Sequence, residues 1–138
     1  MNIKDLMIGD YVFHKKYGNA KVEMIVNDFK GDPEVMLISD NIKHKDGYEY
    51  GYCYSGLDDI YPLPLTSEIL EKNGWKYTNY NNETSNDEEY FVYDGIDIHI
   101  DNEGFEIRSI DSMNIQLHYV HQLQHIMHLC GIEKEIEL

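Results

Sequence analysis

The sequence predicts an α+β chain. An SH3-like small β-barrel comes first, then a short helix, an antiparallel β-meander and a C-terminal amphipathic helix. Three observations predict this: β-prone runs separated by glycine-bearing turns over residues 1–60, a second set of alternating strands near residues 90–110, and helical periodicity close to the C-terminus. At 138 residues the chain buries about two-thirds of the surface its unfolded form exposes, enough to fold without metal or disulfide staples. Its 42% hydrophobic and 27% charged residues lie in the ordinary globular range.

The first half divides at turn residues. Tyr11-Val12-Phe13-His14 is followed by Tyr17-Gly18-Asn19 and then by residues 20–26, the pattern of a hairpin. Residues 28–33 carry a glycine and a proline ahead of a strand over 34–39, and Lys45-Asp46-Gly47 precedes a strand over 48–54. A connector with alternating prolines, Pro62-Leu63-Pro64, favours extended backbone. Subdomain boundaries are therefore expected at 1–64 and 65–138. Thr66 is a good N-cap for a helix over 67–73, with Gly74 as its stop. Residues 79–89 read as a polar loop, and strands follow at 90–93, 96–100 and 105–110. Asp111 or Ser112 then caps a helix running to about Cys130, stopped by Gly131, and the alternating tail 132–138 suits an edge strand.

Charge narrows the function. Eleven basic residues face 26 acidic ones, a net of −15, and residues 65–138 hold 15 acids against 4 bases. A nucleic-acid backbone needs clustered cations, so direct DNA or RNA binding is not expected. The amino terminus has no signal-peptide pattern and no run reaches membrane-helix length, so a cytoplasmic protein without membrane contact is expected. Cys53 and Cys130 fit no metal or redox spacing and read as reduced packing residues. No nucleophile elbow, Walker loop, dinucleotide fingerprint or paired-cysteine zinc pattern occurs, so no catalytic residue, metal ligand or cofactor is assigned.

Three surfaces could bind. Tyr48, Tyr50, Tyr52 and Tyr54 alternate along one strand and share a face, either packed on the barrel or open as a platform for a base, a nucleotide or a partner protein. In the meander, residues 83–111 hold ten acids and only Arg108. Asp97, Asp101 and Glu106 there form an acidic face, solvated or matched to a cationic partner. On a helical wheel, His118, His121, His125 and His128 fall opposite the apolar arc of Ile115, Tyr119, Val120, Leu123, Ile126, Met127 and Cys130. That histidine face suits solvent, a partner interface, a pH-sensitive assembly or a homo-oligomer. His121 and His125 have the spacing of a helical zinc pair, but Gln122 stands where such a motif carries glutamate.

At residues 60–75, Ile60-Tyr61-Pro62-Leu63-Pro64-Leu65-Thr66-Ser67-Glu68-Ile69-Leu70 and onward to Trp75, and again at Tyr119-Val120-His121-Gln122-Leu123-Gln124, the chain resembles a family of short proteins of unassigned function. They come from anaerobic gut bacteria, their phages and their integrating elements. The Leu6-x-Ile8-Gly9-Asp10-Tyr11-Val12 opening extends the resemblance over most of the chain. It implies a phage or mobile-element setting. Together with small size, acidity and missing catalytic motifs, it leads to the expectation of a non-enzymatic interaction protein. Such a protein would bind a host-defence component through the partner's basic surface. The alternative is a small-molecule sponge for a nucleotide signal, with Lys15, Lys16 or Lys21 offsetting the negative field; a metal-dependent enzyme stands third.

Overall fold

The structure, a computed structural model, describes residues 1–42, 51–82, 85–108 and 114–138. It is an α+β protein made mostly of strands, with two antiparallel sheets and two α-helices among those residues. The chain divides into two compact units, Met1–Leu63 and Pro64–Leu138.

The first unit holds β1 (Tyr11–His14), β2 (Gly18–Asn27), β3 (Pro33–Ile38), β4 (Tyr52–Gly56) and β5 (Ile60–Pro62), in the order β4-β3-β2-β1-β5. A 3-10 helix, Leu57–Asp59, precedes β5 and lies ahead of the prolines that exclude a helix further on. The period of two decides which residues enter the core. Val12, Ala20, Val22, Val35, Leu37 and Ile60 point inward with Leu6 and Ile42, while their strand neighbours point out. In β2 the pairing shifts between Val22 and Met24, leaving Glu23 as the extra residue of a bulge.

The second unit holds α1 (Ser67–Lys72), β6 (Lys76–Asn82), β7 (Ser85–Tyr93), β8 (Ile96–Asp101), β9 (Gly104–Arg108), β10 (Asn114–Leu117) and α2 (Val120–Leu129). Its sheet runs β10-β9-β8-β7-β6. Both helices stop by the same device. Gly74 and Gly131 take left-handed φ of 86° and 75°. Behind each, crossed backbone bonds close the last turn: Trp75 N–H to Leu70 O at 3.0 Å with Gly74 N–H to Glu71 O at 3.1 Å, and Ile132 N–H to Met127 O at 2.9 Å with Gly131 N–H to His128 O at 3.0 Å. At the start of α1, Thr66 Oγ1 accepts from Ile69 N–H at 3.3 Å.

Three expectations are corrected. Residues 79–82 and 85–89 are strand, not loop: Asn79 pairs with Glu89 and Tyr80 with Glu88. Backbone pairing needs no apolar side chain, so the polarity of this stretch concealed a ladder. The last helix begins at Val120, because residues 114–117 pair with β9, Ile115 opposite Ile107, and the expected caps at 111 and 112 lie outside the described residues. Its first turn is tied instead by Gln122, whose Oε1 accepts from the N–H groups of His118 at 2.8 Å and Tyr119 at 3.0 Å. The tail joins neither sheet.

That tail is fastened by a buried amide. Asn73, with no exposed surface, donates through Nδ2 to Ile69 O and to Glu137 O, each at 2.7 Å, and accepts at Oδ1 from Glu137 N–H at 2.7 Å. Lys134 Nζ donates to Asn73 O at 2.6 Å and lies 5.2 Å from the Tyr93 ring centre. Ile136 is thereby held at 2% exposure. Replacing Asn73 by Ala removes the three hydrogen bonds of this buried amide, and we expect a loss of about 3 kcal/mol in urea unfolding together with faster hydrogen exchange at Glu137. A loss below about 1 kcal/mol would show that the tail is held by other means.

Candidate functional site

The tyrosine strand is resolved on one point that the sequence leaves open. Tyr48 and Tyr50 lie outside the described residues. Tyr52 and Tyr54, on β4, point away from the core of the first unit, 36% and 52% exposed, while Cys53 is half-buried and Ser55 buried. The pairing explains the direction. Cys53 and Ser55 stand opposite the core residues Leu37 and Val35, so Tyr52 and Tyr54 stand opposite the outward-facing Ile38 and Met36. Met36 in turn faces Met24, 43% exposed, and Ile38 faces Lys21.

The outer face of the sheet therefore carries a patch of Met24, Met36, Ile38, Tyr52 and Tyr54. The two tyrosine rings meet edge to face, centres 6.3 Å apart and planes 89° apart. Acids border the patch. Glu34 stands at the start of the outward row of β3, Glu23 is exposed at the bulge, and Lys21 lies opposite Ile38 on the same face. Sequence reasoning found the tyrosines but missed the methionines, whose outward direction depends on the bulge and on which strands are neighbours.

The acidic meander is less of a face than expected. Asp97 is exposed and Asp101 half-buried, but Glu106 is 7% exposed. Glu106 sits in a cross-strand row with Tyr90, His99 and Gln116, and its Oε2 accepts from Arg108 Nε at 3.3 Å. A central strand is covered by its neighbours' side chains, so Glu106 is buried, paired with the exposed Arg108, and does not join Asp97 in facing solvent.

The histidine face is also corrected. His118 precedes α2 and is exposed, His121 is buried, His125 is half-buried and His128 is exposed. His121 stacks on Tyr119 with planes 8° apart and centres 5.7 Å apart, and His125 meets it edge to face at 5.7 Å. Of the expected apolar arc, Val120, Leu123 and Met127 are buried, Ile126 is half-buried, and Ile115 and Cys130 are exposed. Among the described residues no group of three or more His, Cys, Asp or Glu side chains is placed to hold a metal ion, and no helix is long and apolar enough to cross a membrane.

One histidine was missed. His14 ends β1, 5% exposed, with its ring stacked on Tyr17 at 4.9 Å. Its Nδ1 accepts from Lys16 N–H at 3.2 Å, which requires that nitrogen to be unprotonated. Burial lowers its pKa below the ordinary value; Asp59 opposes that shift, while Lys15 and Lys16 add to it. Lys15 is paired with Asp59. The half-buried Cys53 thiol is pushed up by burial, which keeps it protonated and unreactive at neutral pH. The chain matches no family model, no curated protein and no solved structure.

The lowered pKa of His14 has a definite sign. The unfolded chain binds the proton more readily, so this group's contribution to stability is complete above about pH 6.5 and declines as pH falls from there toward the lowered folded value. We expect His14→Gln to flatten the pH dependence of the unfolding midpoint over that interval. An identical slope in the variant would show that His14 does not titrate there.

Proposed function

We propose that this protein is a non-enzymatic interaction protein of a phage or mobile element, acting in the host cytoplasm to sequester or inhibit a component of host defence. The observation that carries the binding reading is the open aromatic and methionine patch on the first sheet. A contiguous apolar area on a small acidic protein loses free energy to water unless a partner covers it. Tyrosine combines contact area with a polar tip at low conformational cost, and methionine adapts to varied partners, the composition found where proteins bind one another. The genetic setting rests only on the resemblance of residues 60–75 and 119–124 to the mobile-element family.

We also read the first unit as an SH3-like barrel. The strand order, the long bulged β2 and the 3-10 helix just before a short β5 support that reading. A nucleotide sponge is the weaker alternative. Tyr52 and Tyr54 stand perpendicular and so form no parallel slot for a base, and the acids beside them repel phosphate.

Affinity capture from infected host cells, followed by mass spectrometry of proteins and small molecules, tests the proposal. We expect a host protein retained by the native chain and lost with Tyr52→Ser/Tyr54→Ser, while the double variant unfolds within about 1 kcal/mol of native because both side chains are already exposed. Capture unchanged by the double variant would refute the assigned face. Release of a nucleotide in place of a protein would establish the sponge.

A further inference from the structure

We infer that the patch of Tyr52, Tyr54, Met24, Met36 and Ile38 takes a basic, arginine-bearing segment of the partner protein. This rests on the reading that the first sheet's outer face is the contact surface, and adds the chemistry of what is contacted. The argument is one of complementary charge. Glu34 begins the outward row of β3, Glu23 is exposed beside Met24, and the chain as a whole carries −15, so the acids outweigh Lys21 opposite Ile38. A second copy of the chain would bring the same acids against these and be repelled, and an anionic ligand would meet the same field.

Ring chemistry then selects among cations. Lysines already lie over rings elsewhere in the molecule: Lys16 over Tyr17, Lys21 over Tyr11, Lys30 over Phe29 and Lys134 over Tyr93, at 5.1 to 5.9 Å. Among the described residues no lysine or arginine lies over Tyr54. An arginine from outside suits that ring better than a lysine. Its guanidinium is planar, less strongly hydrated than an ammonium, and can stack on the ring while its edge donates to Glu34, two residues from the Met36 that faces Tyr54.

The test uses three short synthetic peptides in which valine alternates with arginine, with lysine or with glutamate, titrated into the full chain and followed by NMR. We expect the arginine peptide to bind most tightly and the glutamate peptide not at all. The resonances of Tyr52 and Tyr54 should shift, with affinity falling as salt is added. Tyr54→Leu, which keeps the apolar area, should weaken arginine binding about threefold. Glu23→Gln/Glu34→Gln should weaken it about fivefold at low salt.

Equal binding of arginine and lysine peptides, or arginine binding indifferent to both variants, overturns the inference. So does concentration-dependent dimerisation abolished by Tyr54→Leu, which would assign the face to a second copy. If no peptide binds while cellular capture still depends on Tyr52 and Tyr54, the inference fails and the interaction reading stands. If capture itself is independent of both tyrosines, that reading fails as well.

Discussion

The register between β3 and β4 is the constraint on which the candidate surface depends. Val35 and Leu37 are wholly buried and stand opposite Ser55 and Cys53. Burying each of those aliphatic side chains stabilises the first unit by roughly 1.5 to 3 kcal/mol. A slip of β4 by one residue against β3 would turn Tyr52 and Tyr54 inward in place of Cys53 and Ser55, because the side-chain period is two. The outward patch is thus the other side of a well-determined core. Its position needs no stabilisation of its own, which leaves its composition available for binding.

In the second unit the same alternation gives a different result. Phe91, Ile98 and Leu117 are buried on one face of the sheet, and the helices add Leu70, Leu123 and Met127 to the buried set. The opposite face is polar, yet Glu106 is drawn in against Arg108 in a row with His99 and Gln116. An acid placed on a sheet's polar face by sequence pattern is not thereby in solvent. The acids that remain exposed supply a general negative field.

What the sequence made legible follows from how local each signal is. Thr66 and the stops at Gly74 and Gly131 depend on a few neighbouring residues, and they were readable. So were β1, β3 and the β8–β9 pair, where alternation is strong. The β6–β7 ladder was hidden because its pairing is carried by backbone groups under polar side chains. Residues 114–117 fit a helical wheel well enough to extend α2 by more than a turn, and that error put Ile115 and His118 on the helix; it does not account for His121, which is buried although the wheel sets it beside His125 and His128. The tail alternates like a strand, but the buried amide of Asn73, far away in sequence, takes the hydrogen bonds a neighbouring strand would have taken. For the surface itself, the tyrosine stripe was legible; its openness was not, since that depends on which face of β4 meets the core of β3.

The central claim is that Tyr54 is displayed to solvent by the first sheet and covered when the partner binds. Tetranitromethane nitration, mapped by mass spectrometry on the folded chain alone and on the captured complex, tests it most directly. The account predicts rapid nitration of Tyr54 in the free protein and protection in the complex. A Tyr54 that resists nitration in the free folded chain, or reacts equally fast in both, would contradict it.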